Sequence, residues 1–577
     1  MSEEMDPITL EVMRNAFQSA AEEMGAALIR TALSTNIKDR RDCSTAIYTS
    51  GGHLVAQAEH IPLHLGLMVS VVEKTLERFS LDDLEPGDAI ITNDPYISGS
   101  HLPDICMITP LFVEGQCLAL LANLAHHVDI GGIAPGGMPT ISTEIFQEGL
   151  RIPPVKLRKR GEVDEQILEL IMNNVRTSYE TYGDFQAQLA ANNVGERRLR
   201  ETISKYGVSV VSYYMDEIIN YAERRMRNRI RQLPKGVYSF EDYLEGDGLS
   251  EDLLKIKVTL AIDEDQILVD FTGTDSQARG SVNSTRAVTL ACVYFALKSA
   301  IDPDIPSSQG TFRPVKVVTP AGSLVNPSFP APVSNANINT SQRIADVVLG
   351  ALSEAIPESV PAASTGSMSI FTIGGVDPNT GEYYSYVETY GGGHGALKDQ
   401  DGMDGVHSNM TNTRNAPVEV IEIAYPLRVE RYGLIPNTEG PGRSRGGLGM
   451  TREMTILDHH ATITLGTERR RIQPWGLAGG KPGGGSDCWI VSTEGKKEQL
   501  PSKVTRPVDP GTRIVLRTAG GGGYGEPNQR SPERVAKDVR EGFIDIQRAK
   551  EHYGVVIDAA TGEADLEATK ALRDRRK

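Results

Sequence analysis

The spacing of apolar residues predicts a chain that begins in helix and later turns to strand. Leu10, Met13, Phe17, Ala20, Met24, Ala27 and Leu28 recur at steps of three and four. That sets them on one face of a helix over residues 8–33, with Asp6 as cap and Pro7 in the first turn. Residues 44–49 and 53–57 read as the arms of a hairpin around Ser50, Gly51 and Gly52. A second helical region spans about 163–233, with Val211, Tyr214, Ile218 and Tyr221 as an apolar stripe. The period then becomes two: Ile256, Val258, Leu260 and Ile262, followed by Ile267, Val269 and Phe271, alternate with polar or small residues, as strands with one buried face do. Residues 287–300 read as a buried helix. A last helix starts near Ser531 and Pro532 and closes at Gly554, and the charged residues 559–577 read as a partly mobile tail. The pattern predicts a mixed α/β (α+β) chain in three parts. A helical region with polar loops covers 1–235, a strand- and glycine-loop-rich region covers 236–545, and a helix end with a charged tail covers 546–577.

Composition narrows the function classes. A chain of 577 residues can form two to four structural units. The formal net charge of -17 argues against general affinity for a nucleic-acid backbone. No apolar run reaches the roughly 18 residues of a membrane span. The acidic start at Met1–Asp6 lacks the apolar stretch of a signal peptide. Five scattered cysteines, none in a C-x-x-C pair, give neither a disulfide framework nor a zinc knuckle, and point to the cytoplasm.

Two glycine-rich stretches invite a nucleotide reading, and both fail it. Residues 476–482 resemble a phosphate loop, but the first glycine is misplaced and Pro482 stands where a hydroxyl residue should meet magnesium. Residues 520–525 formally fit G-x-G-x-x-G, yet Pro527 follows where a helix should open. Tight turns and close backbone approach suit these glycines better, so no residue is assigned to a nucleotide.

The densest polar chemistry lies between Asp42 and Asp129, in the segments around Asp42, His101 and Asp104, and His126, His127 and Asp129. Imidazole and carboxylate are suitable ligands for a divalent ion. Residues 117–125 read as a buried strand, whose alternation sends His126 and Val128 to one side and His127 and Asp129 to the other. The adjacent histidines therefore do not both serve one ion. Hydrogen-bonded loops and a metal site both remain open as readings of the cluster. His60 and His64 are candidates for a pocket wall or for structural use, and Glu144 and Glu148 for a loop anchor or for groups that orient the ligands from behind. His394, set between glycines, is a candidate substrate contact, and His459 and His460 read as a solvent-facing turn.

At these residues the chain resembles the hydantoinase B family: the beta subunits of ATP-dependent hydantoinases, 5-oxoprolinases and lactamases, with subunits of acetone and acetophenone carboxylases as more distant relatives. The segments that carry the resemblance are 42–44, 92–104, 125–132, 147–154, 302–306, 411–419, 445–449 and the glycine run ending at Gly525. Residues 307–310 and 334–340 depart from the family pattern, and are expected to shape the substrate pocket without touching the metal ligands. The resemblance implies a divalent metal, zinc before manganese, held by His101, Asp104 and His126, with Asp42 as a further ligand or close neighbour.

The same resemblance implies a hydantoinase A-like ATPase partner that binds ATP and magnesium; because symmetric duplication is the commonest form of oligomer, a complex with two copies of each chain is expected. The partner would phosphorylate a cyclic amide (hydantoin, 5-oxoproline or lactam), and this chain would hydrolyse the activated ring. His127 or Asp129 would move protons. The alternatives are a carboxylase subunit or a scaffold for the ATPase.

Overall fold

The computed structural model describes residues 5–58, 60–97 and 99–576; residues 1–4, part of the acidic start, lie outside this set. The first helix, α1 (Pro7–Thr31), is capped by Asp6, whose side chain accepts from the Ile8 and Thr9 N–H groups. It buries Leu10, Met13, Phe17, Ala20, Met24 and Leu28 as the periodicity requires. A short turn of helix, α2 (Thr35–Lys38), leads to the hairpin of β1 (Cys43–Thr49) and β2 (Leu54–Gln57). Helix α3 (Pro62–Leu76) follows, then β3 (Ala89–Thr92), β4 (Asp104–Val113), β5 (Gln116–His126), β6 (Val155–Lys159) and β7 (Glu162–Val163). These strands form one antiparallel sheet in the order β2-β1-β5-β4-β3-β6-β7.

The helical region after it is three helices: α4 (Glu165–Met172), α5 (Ser178–Tyr206) and α6 (Val208–Gln232). Gly207, at φ 84, breaks the last two apart. Beyond α6 the alternating segments form a second sheet from β8 (Gly236–Glu245), β9 (Leu253–Asp263), β10 (Gln266–Asp270) and β11 (Val315–Val318). The buried helices α7 (Arg286–Ile301) and, after the short α8 (Gln309–Phe312), α9 (Ser341–Ala355) belong to the same core. The step at residue 235 marks this change of period, but one apolar core crosses it: Ile61, Leu63 and Val128 cluster with Leu244, Ile256 and Val258.

Two further antiparallel sheets, of four and five strands, follow. The expected last helix is two, Pro532–Arg540 and Ile546–Tyr553, because Gly542 (φ 74) interrupts it; Gly554 (φ 63) ends the second. The expected tail instead folds, as the strand pair Val556–Ile557 and Ala564–Asp565 and the helix Leu566–Asp574. Arg573 ties that helix down by donating to the Arg530 and Tyr553 carbonyls. No helix among the described residues is long and apolar enough to cross a membrane.

Candidate metal centre

Strand pairing brings the polar cluster together. Asp104 opens β4 and lies directly across from His126, the last residue of β5, the spacing at which cross-strand side chains meet. On the other side of β5, Cys43 pairs with Ala125, so Asp42 comes beside His126. The Asp42 carbonyl accepts from the His126 N–H, and Asn36 on α2 donates to the His126 carbonyl. Arg41 takes a left-handed conformation (φ 58), which turns Arg40 and Asp42 toward one chamber. His101 reaches the chamber through the turn closed by the Asp104 N–H on the His101 carbonyl.

Three ligand-type atoms converge there. His126 Nδ1 lies 2.9 Å from Asp104 Oδ1, His101 Nε2 lies 3.2 Å from the same oxygen, and the two nitrogens are 3.1 Å apart. His101 Nδ1 donates to the Ser334 carbonyl at 3.1 Å, which leaves the Nε2 lone pair facing the cluster. Asp104 Oδ2 accepts from Ser100 Oγ, and from Asn337 Nδ2 at 3.2 Å. His126 Nε2 is buried with no partner among the described residues. Two imidazoles and a carboxylate, oriented by a carbonyl, a hydroxyl and an amide, fit a divalent ion. Burial opposes charge on His101, yet the Asp104 carboxylate raises its pKa overall. Burial likewise opposes charge on Asp104, and the imidazoles around it hold its pKa well below the usual range. The free interior of the chamber is about 30 Å3, room for an ion and its water rather than for a ring.

Two groups in the chamber, Arg40 and Asn337, stand outside the candidates read from the sequence, and a third, His64, is the expected pocket-wall histidine brought against the cluster. His64, on the first turn of α3, places Nε2 at 3.7 Å from Asp104 Oδ2 and 3.9 Å from Asp42 Oδ1, with Nδ1 at 3.2 Å from Ser44 Oγ. Arg40 donates to the Val387 carbonyl and Thr389 Oγ1 and lies 3.9 Å from Asp42. Asn337 sits in a turn of π-helix, Ala336–Thr340, that runs into α9, the kind of irregularity often found at functional sites. The expectation that residues 334–340 leave the ligands untouched is corrected here, since Ser334 and Asn337 both bond to them. Glu148 is the anchor of that segment: its carboxylate accepts from the Val333 and Ser334 N–H groups and from Ser142 Oγ. The sequence signal for His64 was its place two residues after the helix-opening Pro62; Asn337 and Arg40 gave none beyond their neighbours.

Other expected residues lie elsewhere. His127 points to the opposite face of the sheet, packs on Phe185 and donates from Nε2 to Gln188 Oε1 at 3.1 Å. Asp129 is consumed by its loop, accepting from the Gly131, Gly136 and Arg176 N–H groups and pairing with the Arg176 guanidinium. Neither is placed to move protons in the chamber. His394 is half-buried, bonded through Nδ1 to the Gly395 carbonyl, and lines no part of the chamber. Of the expected solvent-facing pair, His460 is exposed, whereas His459 is buried against the Tyr384 hydroxyl at 2.7 Å.

Residues 6–527 match the family model described as hydantoinase B/oxoprolinase. The chain belongs to this family. The B component of a putative D-/L-hydantoinase from a Pseudomonas species is 34% identical across 99% of this chain and 98% of its own. The crystal structure of the ATP-dependent caprolactamase from Pseudomonas jessenii superimposes with a TM-score of 0.91 at 32% identity, covering 99% of this chain and all of that one. The 5-oxoprolinase 1 of Arabidopsis thaliana is 36% identical over 90% of this chain, which spans only 42% of its length. An acetone carboxylase chain matches at a TM-score of 0.92 with 19% identity, covering 99% of this chain and 83% of its own, and shows the same fold.

In this member of the hydantoinase B family the glycine-rich segments pack on one another rather than cradle a ligand. The six N–H groups of residues 520–525 donate to the carbonyls of Gly484, Gly447, Ala363, Lys481, Ser444 and Leu477 at 2.8–3.0 Å. A phosphate cradle needs such N–H groups free. A Cβ on Gly393 would lie 2.0 Å from the Gly447 carbonyl oxygen and 2.2 Å from the Gly521 nitrogen. Absence of a side chain is what lets these segments meet.

Proposed function

We propose that this chain is the metal-bearing hydrolytic subunit of an ATP-dependent enzyme that opens cyclic amides. The reading rests on one observation: His101 Nε2, His126 Nδ1 and Asp104 Oδ1 lie 2.9–3.2 Å from one another in a buried chamber, with Asp42 at its rim. These residues would hold a divalent ion, zinc before manganese. When bound it supplies Lewis acidity, polarising an acyl oxygen and lowering the pKa of water.

The chain's own groups do the rest. An amide resists water because resonance quenches its carbonyl; phosphorylation of the amide oxygen by an ATP-binding partner removes that protection. The Arg40 guanidinium, fixed by Val387 and Thr389, faces the negative charge on the phosphate and on the oxygen that adds to the ring carbon. The ring C–N bond then breaks as its nitrogen takes up a proton, and a second water hydrolyses the resulting acyl phosphate to carboxylate and phosphate. Burial lowers the His64 pKa against the pull of the Asp104 and Asp42 carboxylates, so the ring is neutral near pH 7 and able to take a proton at Nε2. The chamber's apolar wall of Ile61, Leu63, Met138 and Ile338 keeps bulk water away from the His–Asp cluster. Transfer of that ring favours a stable complex with the ATPase, two copies of each being the symmetric arrangement.

The test is reconstitution. The zinc-loaded chain mixed with its ATPase partner is expected to open hydantoin or lactam rings in an ATP-dependent manner, with neither chain active alone. Ring opening by this chain without ATP would overturn the scheme.

A further inference from the structure

A second cavity, of about 310 Å3, lies behind the wall of the metal chamber. Two thin segments separate the two spaces. Along residues 60–63, Ile61 and Leu63 line the chamber while His60 and Pro62 line the second cavity. Along residues 411–413, Thr411 and Thr413 face the chamber while Asn412 faces the second cavity. The Leu63 N–H donates to the Met410 carbonyl and joins the segments into one partition, a single residue thick. The cavity opens to solvent beside the exposed Ser299 and Pro303. Its size is at the lower end for ligand pockets, roughly 300–1,000 Å3, and suits a small molecule.

Its walls divide by chemistry. Tyr294 and Phe312 stack at 4.1 Å between centroids, and Phe295 extends this apolar side. On the floor, at the end of β2, Gln57 is 1% exposed, and neither Oε1 nor Nε2 has a hydrogen-bond partner among the described residues. His60 Nδ1 is in the same condition. Burying a whole carboxamide without partners is costly, and such costs are kept where a ligand meets them. A carboxamide presents a donor and an acceptor side by side. Its complement is a group that also presents N–H and C=O on one edge. Open-chain secondary amides are trans and place the two on opposite edges. A small ring forces its amide to be cis and puts both on the same edge.

We infer that this second cavity is a holding site for a cyclic amide, in which Gln57 pairs with the ring's N–H and C=O while the Tyr294, Phe295 and Phe312 side covers its hydrocarbon. The inference rests on the functional reading above and adds a place for the ring, next to the chamber but outside its cramped interior. Ser307, in a segment that departs from the family pattern, also lines this cavity.

The test is calorimetric titration of the full-length chain with a panel of hydantoin, 2-pyrrolidinone, 2-piperidone and ε-caprolactam. At least one ring is expected to bind. Its N-methyl derivative and the trans amide N-methylacetamide are expected to bind at least about tenfold more weakly, the equivalent of one good hydrogen bond lost. Gln57→Leu is expected to cost the same factor in ring affinity without lowering Tm, because it removes two unpaired polar atoms. Failure of the whole panel to bind, or equal affinity in a folded Gln57→Leu chain, overturns the inference. Zinc content measured on the same samples separates the two claims. Rings that do not bind a zinc-containing chain sink the second cavity alone, and ring binding by a chain with no affinity for zinc sinks the metal reading.

Discussion

The histidine–aspartate chamber and the glycine-rich block use the polypeptide in opposite ways. Around Asp104 the backbone is ordinary strand and turn, and the chemistry comes from side chains that paired strands line up: Asp42, Asp104 and His126 at the ends of three neighbouring strands. Around Gly393, Gly447 and Gly521 the side chains are missing and the backbone itself is the packing surface. Histidine and aspartate have few reasons to be buried together, so their clustering in sequence carried chemical meaning. Glycine has two reasons to recur, ligand approach and backbone approach, and only the destination of each N–H decides between them.

This contrast yields tests in which one region loses chemistry and the other loses stability. The largest effect is expected from His64→Gln, which removes the proton acceptor between the two carboxylates. We expect kcat of the reconstituted enzyme to fall by roughly 10^2–10^4-fold with zinc content unchanged; coincident loss of zinc would make His64 a ligand instead.

Glu148 links site and scaffold. Burial pushes its pKa up to about 7 from the usual 4.5, against the hydrogen bonds from Ser334, Val333 and Ser142. Because the folded chain holds this proton more tightly than the unfolded one, the group's stabilising contribution is complete below about pH 4.5. It is lost as pH rises through about 7, a change of roughly 3 kcal/mol. The stability of the native chain relative to Glu148→Gln, followed by urea unfolding, should fall by that amount across that window; a pH-independent difference would show that Glu148 is ionised throughout.

Asn337→Ala removes a donor to Asp104 Oδ2 and should weaken zinc affinity by about 10–100-fold, read by competition with a chelator. An unchanged affinity would leave Asn337 a structural residue of the π turn. In the glycine block, Gly521→Ala would set a methyl 2.1 Å from the His394 carbonyl oxygen. We expect a loss of about 1–3 kcal/mol of stability with zinc affinity of the folded chain intact. A selective loss of zinc would mean that the two regions are coupled.

How much could be read beforehand follows from the same physics. The helix and strand periods were legible wherever one face is buried, as in α1 and β9. The breaks at Gly207 and Gly542 were not, since a glycine at positive φ and a tolerated helical glycine look alike in sequence. Alternation along β5 correctly split His126 from His127, because a strand has only two faces. It said nothing of how far Asp129 follows that strand, and the chain leaves β5 at His126; the Asp129 carboxylate then serves the loop. His64, Arg40 and Asn337 come from parts of the chain far apart in sequence, and periodicity has no bearing on such meetings. The folding of residues 556–574 was hidden by their charge, which faces solvent while Ile557 and Thr569 are buried.

The face assignment and the metal assignment stand or fall together in one measurement: elemental analysis of the chain purified without chelator, alongside His126→Ala and His127→Ala. We expect about one zinc per native chain, retained by His127→Ala, whose defect is a buried cavity beside Gln188, and lost by His126→Ala. Equal zinc content in the two variants, or a metal-free native chain that supports full ATP-dependent ring opening, would contradict a metal held by His101, Asp104 and His126.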